Sequence, residues 1–496
     1  MDARAAWSDS RQDGSLETVK PWSNIGTYVF LTTFACVFYV SNAPLLLGHY
    51  DLGWHLAAGD LIRESGRIPL QDPWSFTLGD KSWYNLSWLW DVIASVLLQY
   101  AGLSGLVLLV VACGGMIVGC LASACLRGGA SAVAACIAVF SACLLYPAYE
   151  AAPNMYLAAS PNISTMLFCV IFYRVCIEGA RWLLLLPAMM VIWVNLHGGF
   201  LIGFLVMGVF CGVSLLKQDW PDFKRYGLAG IGCAVAVLVN PLGWHIYDGV
   251  TATMGHFVQA NIGEWLPYSH NLEIPGSIPG MIYMAAFVAL ELSCGRQSPI
   301  PLQSRLLAWL FLLLGLHQFR YMSFFFIFSA LPLALHIDQL LLKQLPRLQV
   351  QKSLLLAGLI GALALPLIFL QSVLALELPQ MLSEQDVNYL NAHLSHARLL
   401  NHWNVGGLLI FHTRGRVHVF VDGRAATAYP DDLLRDYFKL VRDEIDEAAW
   451  DSVIEKYRID AVLWIRTHEQ LRRFLVDRRG WKEDYTGSYE SVYVRP

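Results

Sequence analysis

Residues 49–77 read HYDLGWHLAAGDLIRESGRIPLQDPWSFT and follow directly on an apolar run at 24–47. That run is long enough to cross a bilayer, which takes ~20 apolar residues. The quoted stretch mixes acidic and aromatic residues, and apolar residues recur at helical spacing over 52–64 and again over 86–100. We therefore expect the chain to leave the membrane after its first span and to form a long, structured outer loop over 48–102.

The composition is that of a multi-span membrane protein. The 496 residues are 56% hydrophobic and 15% charged, whereas soluble domains carry nearer ~25% charged residues. A net charge of −4, from 34 basic and 38 acidic residues, argues against nucleic acid as the main partner. The 11 cysteines show neither a CxxC motif nor the Cys/His spacing of a zinc site. Disordered, collagen-like and disulfide-scaffold classes are excluded.

Charge divides the chain into two parts. Residues 1–376 contain apolar runs with few charges, whereas 377–496 carry charged residues throughout. We expect an all-α polytopic membrane domain over the first range and a small α/β domain over the second. In the tail, the pattern predicts helices at 383–394, 431–442, 446–457 and 468–477, and strands at Val417–Val421, Ala461–Ile465 and Ser491–Val494.

The apolar runs predict about eleven transmembrane helices. If the N-terminus is cytoplasmic, basic residues concentrate in the inner loops, while the short outer loops 148–160, 196–197 and 246–275 contain none. An odd number of spans then puts the tail on the outer side. The predicted spans are 24–47, 103–126, 130–147, 161–180, 183–196, 198–216, 227–245, 276–294, 304–319, 321–341 and 353–376.

Polar residues near the outer membrane face are costly there and therefore indicate function. Asp51 and His55 lie four residues apart and share one side of a helix. A carboxylate at this position could act as a general base, or it could cap the helix. His197 lies at a turn between two short spans and could line a cavity mouth, or simply bond to Asn195.

Arg320 is the one Lys or Arg in a short outer connection, and His317 precedes it. Its guanidinium could hold a phosphate through two hydrogen bonds, or pair with Glu264 or Asp51. Together these residues predict a reaction centre where a lipid phosphate meets an aqueous acceptor. The residues expected to line its cavity are Trp54, Glu264 and Trp265.

Short motifs are spread in order along most of the chain. They are Asp51-Leu-Gly-Trp-His55, Gly59 to Pro69, Gln71 to Thr77, Ser87-Trp-Leu89, Asn195 to Gly199, Asn240-Pro-Leu-Gly243, Glu264-Trp265, Arg320, Asn404 to Gly407 and Val421-Asp-Gly-Arg424. In this order they resemble one family of bacterial GT-C-type membrane glycosyltransferases.

The resemblance implies an enzyme of the bacterial inner membrane that takes its sugar from a polyprenyl-phosphate-linked donor. A glycan, lipid or protein of the cell envelope would be the acceptor. Asp51 matches the acid that activates the acceptor hydroxyl, and Asp72 is a second candidate base. Arg320 would hold the lipid phosphate, assisted by His317 or His197.

An adjacent pair of acids, present in better-known GT-C subgroups, is lacking at Asp51. A divalent metal cofactor is therefore an open alternative. With one base, a single displacement would invert the anomeric centre.

Two other classes of function stay open. A transporter or flippase of lipid-linked glycans predicts ionisable residues near mid-span and repeated halves, and neither pattern is evident. A non-catalytic scaffold for envelope polysaccharide assembly would use the tail as a docking module. In that tail, we interpret Val421-Asp-Gly-Arg424 as a strand-ending turn held by a contact between Asp422 and Arg424.

Overall fold

The first part of the chain is built from α-helices that are mostly apolar. The computed structural model describes residues 24–79, 81–144, 158–179, 182–273, 277–294, 300–341, 347–373, 382–441, 446–487 and 489–496. The helices are α1 (Ile25–Ser41), α2 (Ala43–Leu47), α3 (Leu52–Ser65), α4 (Trp88–Arg127), α5 (Ala132–Leu144), α6 (Asn162–Glu178), α7 (Leu185–Leu196), α8 (Leu201–Leu216), α9 (Trp220–Ala236), α10 (Ile246–Thr253), α11 (Ser277–Cys294), α12 (Leu302–His317), α13 (Met322–Leu341) and α14 (Arg347–Val373).

Each predicted apolar run overlaps one of these helices, so the all-helical character of the first part is confirmed. Within the described residues, three segments are long and apolar enough to cross a membrane: Trp88–Arg127, Gly198–Leu216 and Phe319–Leu340. Other apolar helices, α1 and α12 among them, are shorter. The number of spans, about eleven, therefore stays a prediction.

Both helical stretches expected in the first outer loop are present. Helix α3 begins after Asp51 and ends at Ser65, just before Gly66, whose φ of 65° is the left-handed conformation that favours glycine at a helix C-terminus. Helix α4 is broken at Gly102, where φ is 60° and ψ is −160°. This break separates the amphipathic stretch near 86–100 from the apolar stretch that follows it.

The C-terminal part packs helices against a four-stranded sheet, as the predicted α/β pattern indicates. The strand order is β1-β2-β4-β3. Strands β1 and β2 are parallel, whereas β4 is antiparallel to both β2 and β3. The elements are α15 (Glu384–His393), β1 (Leu399–Asn401), α16 (Trp403–Thr413), α17 (Asp431–Leu440), α18 (Glu447–Tyr457), β2 (Ala461–Ile465), α19 (Glu469–Arg473), β3 (Lys482–Thr486) and β4 (Glu490–Val494).

The prediction of a strand at Val417–Val421 is wrong. This buried segment forms only isolated bridges at Val419. The Asn401 side chain accepts from the Phe420 N–H at 2.8 Å, and the Trp74 carbonyl accepts from the Val419 N–H at 3.0 Å. The Asn401 side chain and the loop at Trp74 thus accept hydrogen bonds that a neighbouring strand would accept in a regular sheet.

The C-terminal part shares its hydrophobic core with the first outer loop. Trp54, Trp74 and Trp83 of that loop pack in one cluster with residues such as Val421 and Leu434. Helix α16 lies across the start of α3 in this cluster. The shared core therefore brings the segment after Val421 to the N-terminal end of α3.

Candidate active site

A cavity of about 530 Å³ opens where the start of α3 meets the C-terminal part. Its volume lies within the ~300–1,000 Å³ typical of ligand pockets. Turns between helices supply most of its wall, because several helices of the bundle end there. The polar and aromatic lining residues include His49, Asp51, Trp54, His55, Asn85, Thr165, His197, Trp265, Arg320, Gly423, Arg424 and Thr427.

Asp51 lies at the N-terminal end of α3, and its side chain is 30% exposed. Its backbone N–H donates to Nδ1 of His49 at 3.2 Å. Burial lowers the pKa of His49, even though the nearby Asp51 acts in the opposite direction. A neutral His49 leaves the Asp51 carboxylate available as a proton acceptor.

His55 lies one helical turn after Asp51 and lines the same cavity, as the spacing predicts. Its Nδ1 is 2.6 Å from Oδ1 of Asp91, and Asn85 donates to Oδ2 of Asp91 at 2.8 Å. Together, Asp91 and Asn85 fix the position of the His55 ring at the cavity wall.

His197 also lines the cavity, but it does not bond to Asn195. Its Nδ1 lies 2.7 Å from Oγ1 of Thr165 and accepts from the Gly199 N–H at 3.3 Å. Asn195 instead accepts from the indole N–H of Trp88. Burial, followed by the charges of Arg320 and His55, lowers the pKa of His197 to about 3. A neutral His197 is a hydrogen-bond donor through Nε2 and carries no positive charge.

Arg320 lies in a 3₁₀ turn, Phe319–Tyr321, between α12 and α13. Its guanidinium stacks on the Trp265 ring, 3.8 Å from the centroid, and lies 3.7 Å from Oε1 of Glu264. Burial raises the pKa of Glu264; Arg320 acts against this and Asp51 adds to it. Glu264 therefore lies within electrostatic range of both candidate groups, but unlike Trp54 and Trp265 it is not among the residues that line the cavity.

Asp72, the second candidate base, does not line the cavity. Its carboxylate is fully buried, pairs with Arg424, and accepts from the N–H groups of Trp74 and Ser75. A general base must reach the proton that it abstracts, so this geometry favours a structural role for Asp72.

His317, a candidate phosphate ligand, does not line the cavity either. It is the last residue of α12, and its side chain is exposed. The chain reverses after it, and the next turn directs Gln318, Arg320 and Tyr321 to the cavity instead.

The expected contact between Asp422 and Arg424 is confirmed. The guanidinium donates to both carboxylate oxygens, at 2.8 and 2.7 Å. It also bonds to Ser75, while the Tyr429 hydroxyl donates to Asp422 at 2.7 Å. This buried network joins the C-terminal part to the first outer loop at the edge of the cavity.

Sequence reasoning missed three residues that orient the candidate groups. Asp91 and Asn85 hold His55, and Thr165 holds His197. Asp91 lies 36 residues after His55 in the sequence, so no local spacing links them. The one available signal was an acidic residue at the start of an apolar helix, because such a group needs a partner when buried.

The cavity residues do not include a set of metal ligands. Among the residues that the structure describes, no three His, Cys, Asp or Glu side chains converge in a group that could hold a metal ion. The described residues therefore do not fit the divalent-metal site that the resemblance left open.

No protein-family model and no curated protein matches this sequence. Solved structures do match. The archaeal oligosaccharyltransferase AglB from Archaeoglobus fulgidus, in complex with an inhibitory peptide and a dolichol-phosphate, aligns with a TM-score of 0.59 at 11% identity. The alignment covers 88% of this chain and 69% of AglB.

A second match is ArnT from Cupriavidus metallidurans bound to undecaprenyl phosphate. It aligns with a TM-score of 0.50 at 14% identity, over 93% of this chain and 97% of ArnT. Both neighbours are lipid-linked-sugar glycosyltransferases of the GT-C type. This chain therefore has the fold of the GT-C-type membrane glycosyltransferases.

Proposed function

We propose that this protein is an integral membrane glycosyltransferase that transfers a sugar from a polyprenyl-phosphate-linked donor to a hydroxyl acceptor. The observation that carries the proposal is the shared cavity of Asp51 and Arg320. One group can accept a proton and the other can hold a phosphate. The two matched structures contain dolichol-phosphate and undecaprenyl phosphate, respectively, which supports a lipid phosphate as the donor carrier.

In the proposed reaction, Asp51 accepts the proton of the acceptor hydroxyl as its oxygen bonds to the anomeric carbon. The bond from that carbon to the lipid phosphate breaks, and the electron pair leaves with the phosphate. Arg320 and the Nε2–H of His197 stabilise the charge on the leaving group. A single displacement inverts the anomeric configuration, so a product with retained configuration contradicts the mechanism.

The proposed setting is the outer face of a bacterial inner membrane. The N-terminus would be cytoplasmic, and the C-terminal part would lie outside the membrane. Tryptophans near the cavity, such as Trp54, Trp83 and Trp265, are typical of an interface between lipid and water. A glycan, lipid or protein of the cell envelope would supply the acceptor hydroxyl, and membrane lipid would surround the donor chain.

The test uses purified full-length protein in lipid, supplied with a panel of polyprenyl-phosphate sugars and candidate envelope acceptors. Release of polyprenyl phosphate is measured for wild type, Asp51→Asn and a matched control, Asp60→Asn. Asp60 lies on the same helix and bonds to Arg63 and Ser95, outside the cavity lining. Loss of a general base costs ~10²–10⁴-fold in rate.

We expect release by wild type and Asp60→Asn, and a loss of that size in Asp51→Asn. Equal release by all three proteins contradicts the role of Asp51. Movement of intact donor across the membrane without cleavage favours a flippase. If no donor gives either release of polyprenyl phosphate or movement across the membrane, the result favours a non-catalytic scaffold.

A further inference from the structure

We infer that the turn Val421–Arg424 of the C-terminal part positions the Asp51 carboxylate, and that Gly423 is the positioning residue in this turn. The inference rests on the proposed function, because it assigns the same Asp51 a geometric requirement. The inference goes beyond the proposed function because it makes the C-terminal part a component of the reaction centre.

The first observation is the contact between the two residues. A Cβ atom added at Gly423 would overlap Oδ1 of Asp51, and it would also approach Oδ2, at 3.1 Å. Both residues line the cavity. The carboxylate therefore rests against the backbone of Gly423 on one side and reaches the cavity on another. Any side chain at position 423 has to displace it.

The second observation is that the turn is held on both sides of Gly423. Asp422 and Arg424 are buried and joined to each other, and Tyr429 also bonds to Asp422. Ala425 has a φ of 48°, a conformation that L-residues rarely adopt and that persists only when the surroundings determine it. The hydrogen bonds of Asp422 and Arg424 thus fix the position of Gly423 between them.

The third observation is a close approach on the other side of Asp51. A Cβ at Gly53 in α3 would overlap the carbonyl of Gly407 in α16, and a Cβ at Gly407 would lie 2.9 Å from the Tyr50 carbonyl. The backbone on both sides of Asp51 therefore touches the C-terminal part. The C-terminal part therefore contacts both the carboxylate of Asp51 and the main chain next to it.

This geometry matters because general-base catalysis depends on placement. A displacement of about 1 Å can cost ~10²-fold in rate. The alanine methyl in Gly423→Ala moves the carboxylate by a distance of that order. Arg320 belongs to a different turn, so donor binding is not expected to change.

The matched control is Gly487→Ala, also in the C-terminal part. There a Cβ would overlap Oδ1 of Asp386, so the substitution also presses a methyl group against a carboxylate. Gly487 and Asp386 do not line the cavity. The two variants therefore differ in which aspartate they displace, and thermal unfolding of each shows whether both fold.

The first readout is steady-state transfer by full-length protein in lipid. We expect Gly423→Ala to lower kcat by ~10–100-fold with the KM for the donor unchanged, and Gly487→Ala to keep wild-type kcat. In an Asp51→Asn background, Gly423→Ala should add no further loss, because its effect acts through Asp51. Unchanged kcat, an equal loss in Gly487→Ala, or a full additional loss in the Asp51→Asn background overturns the inference.

The second readout does not depend on transfer. A water-soluble carbodiimide with an amine labels accessible carboxylates, and peptide mass spectrometry measures labelling at Asp51. We expect faster labelling of Asp51 in Gly423→Ala than in wild type or Gly487→Ala, and unchanged labelling overturns the contact. If wild type shows no transfer with any donor, but Asp51 is still labelled faster in Gly423→Ala than in wild type, the proposed function is rejected and the positioning of Asp51 by Gly423 stands. If Gly423→Ala does not fold, Arg424→Lys loosens the same turn and is tested by both readouts.

Discussion

Nδ1 of His55 lies 2.6 Å from Oδ1 of Asp91, and both side chains are buried. Asp91 accepts a second hydrogen bond from Asn85. Two residues, Asp91 in α4 and Asn85 in the loop before it, thus hold the imidazole of His55 at the cavity wall. The pair fixes the orientation of the His55 ring and thereby the direction of any hydrogen bond that the ring makes to a substrate.

Asp91→Asn should lower kcat by at least ~10-fold while the protein stays folded. The amide changes the hydrogen bond that holds the His55 ring, and a loss of ~1.4 kcal/mol in transition-state stabilisation corresponds to a tenfold lower rate. Transfer kinetics of Asp91→Asn, His55→Ala and the double variant measure the effect. Losses that simply add would show that the two residues do not act as a unit.

Arg320→Lys should raise the KM for the donor by ~10-fold or more and change kcat less. Lysine keeps the charge but loses the planar pair of donors that matches a phosphate. Binding of polyprenyl phosphate alone, followed by intrinsic fluorescence, measures the same loss without chemistry. Arg225→Gln is the control, because this exposed arginine pairs with Asp222 outside the cavity lining. Unchanged donor binding in Arg320→Lys would remove Arg320 as the phosphate ligand.

His197→Ala should slow transfer by ~10-fold, whereas His317→Ala should leave it unchanged. The reason is that His197 lines the cavity, while the exposed His317 does not. Because the pKa of His197 is lowered to about 3, the ring stays neutral, and the ratio of wild-type to His197→Ala rates should be constant between pH 5.5 and 8. A ratio that rises at acidic pH would point to a protonated ring. Rates measured across that pH range decide between the two.

Asp72→Asn and Asp51→Asn should have opposite consequences for stability and activity. Asp72 is buried against Arg424, and removing one partner of a buried ion pair costs ~3–5 kcal/mol. We expect a lower unfolding temperature for Asp72→Asn and one close to wild type for Asp51→Asn. Thermal unfolding in detergent measures both. A stable Asp72→Asn protein without transfer activity would return Asp72 to the candidate bases.

Glu490→Gln should stabilise the protein at alkaline pH. Burial raises the pKa of Glu490 to about 8, and Asp386 adds to the increase. Both carboxyl oxygens are buried without a hydrogen-bond partner among the described residues. The folded state therefore holds a proton that the unfolded state releases above about pH 4.5, so this group's contribution to stability falls as the pH rises towards 8.

Glutamine is neutral throughout this pH range. The unfolding temperature of Glu490→Gln should exceed that of wild type at pH 8.5, and the difference should shrink towards pH 5. Thermal unfolding at several pH values tests this. The same difference at pH 5 and pH 8.5 would contradict a titrating Glu490.

Local sequence was sufficient for much of the fold and for part of the candidate site. The helices α3 and α4, the apolar helices, and the contact between Asp422 and Arg424 follow from periodicity or from short spacing. Asp51 and His55 share the cavity because four residues make about one helical turn. These are relationships between neighbours in the chain, so a single segment contains all the information.

Relationships between distant segments could not be read in this way. The fold pairs Asp72 with Arg424, and the turn after α12 leaves His317 outside the cavity lining. Val417–Val421 has the apolar pattern of a strand, but its partners are Asn401 and Trp74. Each outcome depends on which distant group arrives at hydrogen-bonding distance.

The sequence by itself therefore determined a helical membrane part, an α/β tail and a set of polar residues that are candidates for one site. Hydrophobicity and periodicity are enough for these because they act over a few residues. Only the tertiary structure decided that Asp91 orients His55, that Thr165 orients His197, and that Gly423 lies against Asp51. Such contacts join residues tens to hundreds of positions apart, and packing of the shared core brings them together.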